Sequence, residues 1–269
     1  MKVTGDLHLM KKLNKSIVLE TIIADAPISR AAISEKTGLN KATVSNLVHE
    51  LIDSQFVYET GPGQSSGGRK PVMLLFNNEA GHAVGIDLGV NYILTVLTDL
   101  RGTIKKERRV PLQRMDFDYV WQELTQSIRW AIQGAPKSPY GIVGIGIGVP
   151  GLISPKGEVL SAPNLKWRNI DLKNKIEQAF QLPVAIENEA NAGAIGERSF
   201  GDTRHVKDMI YVSAGIGIGV GIIVNNALYR GFSGFSGEMG HMTIHMEGMP
   251  CTCGNRGCWE LYASENALL

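Results

Sequence analysis

The chain is short of several things, and each shortage excludes a class of protein. It has only three cysteines in 269 residues, and all lie between Cys251 and Cys258. So sparse and clustered a supply cannot staple a secreted scaffold, and points to a reducing, cytoplasmic setting with metal binding. No run of eighteen apolar residues occurs, so no membrane helix is expected. The N-terminus "MKVTGDLHLMKKLNKS" lacks the apolar stretch of a signal peptide. Net charge is only +1, so any surface for nucleic acid must be local.

Apolar residues make up 43% of the chain, enough for sizeable cores, and its length suits a small domain joined to a larger one. Residues 1–77 read as the small one. "SIVLETIIADAP" has helical periodicity and stops at proline; "SRAAISEKTG" follows, with Ser29 as N-cap and Gly38 as its end. Asn40 then caps "LNKATVSNLVHELIDSQF", where Val44, Leu47, Val48, Leu51 and Ile52 form one apolar stripe. The other face carries Lys41, Ala42, Thr43, Ser45, Asn46 and His49, short polar side chains suited to base edges in a major groove. Two strands, "QFVYET" and "VMLLFN", flank "GPGQSSGGRKP", a loop ending in Arg69 and Lys70, which suit phosphate. Three helices and a two-stranded hairpin predict a winged helix-turn-helix, with operator DNA as partner. A plain helical subdomain with a mobile loop is the alternative.

Residues 78–269 alternate short strands and helices, as in an α/β domain of mixed sheet with ligand loops at strand ends. "GIDLG" and "AGIGIG" are glycine turns that can cradle phosphate or simply close hairpins. His241, Cys251, Cys253 and Cys258 together offer one nitrogen and three sulfurs, the closed tetrahedral set of structural Zn²⁺, with His245 a rival to His241.

The order "GIDLG", "GIGIGVPG", "IENEANAGAIGE", "AGIGIG", "GEMGH" and "CTCGNRGCWE" resembles the ROK family of sugar kinases and sugar-responsive repressors, and "GHM…CTCGNRGCWE" is its most specific stretch. The resemblance covers essentially the whole chain. It implies a ribonuclease-H-like, actin-like pair of lobes with a sugar between them, and zinc on His241 and the three cysteines. Family members continue well beyond "CWELYASENALL", so it also implies a truncated ROK domain whose second lobe is incomplete. By the same resemblance, Asn188, Glu189, Glu238, His241 and Glu260 contact sugar, with Asn164 and Trp167 as further candidates.

Three positions depart from the family's kinases. Their elbow is "ENDAN", with aspartate as the base; here it is "ENEAN", with Glu189. The extra methylene displaces the carboxylate, and misplacement of about an ångström costs about 10²-fold in rate. Val90 and Asn91 follow "DLG" where kinases carry glycine and a hydroxyl residue, and Ala214 stands where threonine is usual. No catalytic residue is therefore expected. The resemblance implies a repressor of xylose-utilisation genes relieved by D-xylose, acting as a dimer or larger homo-oligomer. The alternatives are a sugar kinase with a regulatory head, or a repressor tuned to another sugar.

Overall fold

The computed structural model describes residues 7–62, 70–232 and 234–268. The chain forms two compact units, Met1–Gly81 and His82–Leu269.

The first unit contains α1 (Leu7–Asp25), β1 (Ile28–Ser29), α2 (Arg30–Thr37), α3 (Lys41–Asp53), β2 (Val57–Pro62) and β3 (Val72–Phe76). The turn between α2 and α3 follows from three residues. Ser29 Oγ accepts from the Ala32 amide at 3.2 Å, Gly38 takes the left-handed conformation (φ 72°), and Asn40 Oδ1 accepts from the Thr43 amide at 2.8 Å. Val44, Leu47, Val48 and Leu51 bury one face of α3, together with Val18 and Ile22 of α1 and Ile33 of α2. Ile52, at the edge of that stripe, is half-buried. The strands pair antiparallel in the order β1-β3-β2. Two features were not anticipated: α1 begins nine residues before Ser16, and the two-residue β1 extends the hairpin to a three-stranded sheet.

The second unit is built on a five-stranded mixed sheet. Its strands are β4 (His82–Leu88), β5 (Tyr92–Asp99), β6 (Ile104–Pro111) and, after α4 (Phe117–Gln133), β7 (Ile142–Val149). Three short strands follow, β8 (Leu152–Ile153), β9 (Val159–Ala162) and β10 (Trp167–Ile170), then α5 (Leu172–Phe180) and β11 (Val184–Asn188). The order in the large sheet is β11-β7-β4-β5-β6; β11, β7 and β4 are parallel, and β5 and β6 are antiparallel additions. Alternation on β4 sends Val84, Ile86 and Leu88 into the core beneath Val120, Leu124 and Ile128 of α4. It leaves Asp87 on the opposite face.

That opposite face meets α6 (Glu189–Phe200), which also packs on the antiparallel sheet of β12 (Met209–Ala214), β13 (Ile218–Val224) and β14 (Ala227–Leu228). Two short helices, α7 (Glu260–Ala263) and α8 (Glu265–Leu268), complete the described residues. The three parallel strands end together at Leu88, Val149 and Asn188. Loops at the carboxyl ends of parallel strands are where open α/β sheets hold ligands.

Candidate functional site

A cleft of about 330 Å³ opens at those strand ends. One side is made by Gly89–Tyr92 after β4, Pro150 and Gly151 after β7, and Asn188 and Glu189 after β11. The other is made by the β12–β13 glycine turn, Glu238, His241 and Glu260. Six of the seven residues expected to face a sugar, Asn164, Asn188, Glu189, Glu238, His241 and Glu260, line this one space.

Local chemistry explains each placement. Asn188 caps α6: its Oδ1 accepts from the Ala190 and Asn191 amides (2.9 and 3.1 Å), and its Nδ2 donates to the Gly151 carbonyl at 2.9 Å. The cap thus ties the β11 elbow to the Pro150–Gly151 loop and sets Glu189 at the helix start. Glu189 is half-buried; that burial, and then the negative charge of Asp87, push its carboxyl above the usual carboxylate range. Glu238 sits in the "GEMG" turn. Gly237 (φ 91°) lets that turn press on the Val220 carbonyl of β13, where any side chain would clash. Burial raises the Glu238 carboxyl, His241 opposes the shift and Glu260 adds to it.

His241, Cys251, Cys253 and Cys258 converge, with all four ligand atoms within 4.8 Å of one another. A tetrahedral zinc with bonds of about 2.3 Å to sulfur and about 2.0 Å to nitrogen would separate two sulfurs by about 3.8 Å and sulfur from nitrogen by about 3.5 Å. The Cys253 and Cys258 sulfurs lie 3.7 Å apart, and Cys251 Sγ lies 3.7 Å from His241 Nδ1. The donor set therefore fits Zn²⁺. Burial and the two neighbouring thiols push the Cys258 thiol up, the opposite of what a bound cation would do. His245 is not in the group and lies near Tyr262 instead. The cluster adjoins the cleft directly: His241 Nδ1 is 3.4 Å from Glu260 Oε1.

Trp167 does not line the cleft. It is 3% exposed, its ring meets Phe117 edge-on at 5.2 Å, and its Nε1 donates to the Met115 carbonyl at 3.3 Å. Packing, not ring stacking on a sugar, accounts for it. Sequence reading missed Tyr92 and Arg109. Tyr92 donates its hydroxyl to Asp87 Oδ2 at 2.5 Å, and the Arg109 guanidinium lies 4.1 Å from the Tyr92 ring centre. Burial and Asp87 raise the Tyr92 pKa. The period-2 placement of Tyr92 at the start of β5 was the only signal available. Arg230 was also missed; it donates from Nε and Nη2 to Glu187 Oε2, at 3.1 and 2.6 Å.

On the first unit, Lys41, Ala42, Ser45, Asn46 and His49 are exposed along α3, and Thr43 is half-buried at its cap. Lys70 is exposed, while Arg69 lies outside the described residues. Among the described residues no helix is long and apolar enough to cross a membrane.

An α/β sheet with a polar cleft at its strand ends and a Cys₃His cluster on the rim defines the class. Residues 83–269 match the ROK family, and the chain belongs to it. It is 54% identical over 265 residues to the xylose repressor of Bacillus subtilis (strain 168), covering 98% of this chain and 69% of that protein. Among solved structures, a ROK family transcriptional regulator, a homolog of the E. coli MLC protein, matches with a TM-score of 0.79 at 32% identity. That match covers 96% of this chain and 66% of the other, just under two thirds of its length. A ROK family glucokinase from Streptomyces griseus, in complex with glucose and AMPPNP, matches 70% of this chain and 59% of its own, with a TM-score of 0.65 at 37% identity.

Proposed function

We propose that this chain is a DNA-binding transcriptional repressor of xylose-utilisation genes, and that D-xylose in the cleft relieves repression. On this reading residues 1–77 are a winged helix-turn-helix whose α3 enters the major groove of an operator. Lys41, Ala42, Thr43, Ser45, Asn46 and His49 face the bases, and Arg69 and Lys70 meet phosphate. Residues 78–269 are the sugar receptor, an actin-like ROK domain. The protein works in the cytoplasm as a dimer or higher homo-oligomer, because one such helix reads half of a palindrome.

The observation that carries the receptor half is the convergence of Asn164, Asn188, Glu189, Glu238, His241 and Glu260 on one cleft. Carboxylates and amides there accept from and donate to vicinal hydroxyls, and their fixed positions discriminate between epimers. His241, Cys251, Cys253 and Cys258 would hold Zn²⁺, which when bound is a structural cross-link. Those residues fix the loops carrying Glu238 and Glu260 on one wall. Sugar acts by binding better to the state that binds operator worse, so the two ligands oppose each other reciprocally.

Phosphoryl transfer is the second reading, supported by the glucokinase relative. Against it stand Glu189 in place of aspartate, and an Asp87 carboxylate already engaged by the Tyr92 hydroxyl. Calorimetry against a panel of monosaccharides, run beside an ADP-release assay, separates the readings. Xylose binding without ADP supports the receptor, and xylose-dependent ADP release replaces it with the kinase.

A further inference from the structure

A second cavity, of about 430 Å³, lies beside the cleft. Gly151, Asn188 and Glu238 line both spaces, so the two meet along one short edge. Sites for small molecules run from about 300 to about 1,000 Å³. The first cavity alone is large enough for a monosaccharide, which leaves the second unused by the receptor reading above.

Its walls are of two kinds. Glu187 and Arg230 face each other as a forked ion pair, with the Arg230 side chain half exposed to solvent. Two guanidinium N–H groups are committed to Glu187; a guanidinium has five. Beside them, on the loop that follows, Phe232 lines the cavity with its side chain fully exposed. Core packing does not explain that ring. Glu187 is already filled, its Oε1 accepting from the Asn188 amide and Asn191 Nδ2 and its Oε2 from Arg230, so it serves to orient the guanidinium. An aromatic face next to a fork of donors is a set that holds a sugar ring: the apolar C–H face rests on the aromatic, and neighbouring hydroxyls accept from the guanidinium N–H groups that Glu187 leaves free.

We propose that this cavity is a second sugar subsite, so that the protein also takes a disaccharide. The first ring lies in the cleft, the glycosidic oxygen crosses at Asn188 and Glu238, and the second ring lies against Phe232 and Arg230. The inference rests on the reading of the cleft as a monosaccharide receptor. It widens the effector class from a free pentose to a pentose carrying a second glycosyl unit.

Titration calorimetry on the metal-loaded protein tests it with three probes: D-xylose, methyl β-D-xyloside and xylobiose. The methyl glycoside carries the substituted anomeric oxygen without the second ring. Xylobiose is expected to bind about tenfold more tightly than the methyl glycoside, the worth of one stacked ring contact. Phe232→Ala removes that advantage and leaves xylose affinity unchanged; Phe232→Trp keeps it. Because the side chain is exposed, neither change endangers folding. Xylobiose binding no more tightly than methyl xyloside would overturn the subsite, as would equal loss of both sugars in Phe232→Ala. If xylose itself does not bind, the receptor reading falls, and the subsite with it.

Discussion

His241 presents Nδ1 to Cys251 Sγ at 3.7 Å while the same nitrogen lies 3.4 Å from Glu260 Oε1. A cluster of metal-ligand chemistry and a carboxylate of the cleft therefore share one imidazole. Cys253→Ser should lose one zinc per chain by elemental analysis and lower sugar affinity with it. Purified protein without zinc that still bound sugar normally would separate the cluster from the cleft.

Glu260→Gln keeps the shape of the side chain and removes its charge. Losing a hydrogen bond to a charged group costs about 1.5–3 kcal/mol, which is roughly a 10- to 150-fold weaker sugar affinity. Trp167→Phe serves as the contrast, because that ring packs on Phe117 and not on the cleft. It should lower stability by about 1 kcal/mol, through the lost bond to Met115, with sugar affinity unchanged. Denaturant unfolding and calorimetry on the same two variants decide the matter.

Glu189 supplies a pH signature. Its folded pKa is raised by burial and by Asp87, so the folded state holds a proton that the unfolded chain releases. Stability at this position therefore falls as pH rises through the unfolded carboxylate range near 4.5, and levels off above the folded pKa. Glu189→Gln should raise the melting temperature at pH 7, with the gain vanishing below about pH 4. A gain that persisted in acid would assign the effect to packing instead.

Asn46 and Lys70 predict two different losses on DNA. Asn46→Ala should relax preference at one base position, by about 1–3 kcal/mol of discrimination. Lys70→Ala should weaken binding to all sequences and lower the salt slope by about one. Anisotropy titrations at several salt concentrations distinguish them, and identical behaviour of both would mean α3 is not the reading face.

Much of this was legible in the sequence because single residues set the geometry. Ser29, Gly38 and Asn40 announce a helix, a turn and a helix, and all three act as caps in the structure. The cleft residues were legible through the family resemblance, and the three cysteines of the Cys₃His cluster through spacing as well; spacing alone left His245 open beside His241. Neither source reached β8, β9 and β10, two to four residues each, because such strands are too short to show a period. The start of α1 was missed because Leu7, Leu9, Met10 and Leu13 are exposed, so no buried face marks the first turns. Arg230 was invisible for a different reason: its partner Glu187 is 43 residues away in the chain, and only the fold brings them together.

The most direct measurement is operator release by sugar. Protein bound to operator DNA is titrated with D-xylose, and the DNA anisotropy is followed with D-glucose as control and ATP present throughout. Release by xylose with no ADP formed is the predicted result. Operator that stays bound at saturating xylose, or ADP that accumulates as xylose is added, would contradict the account.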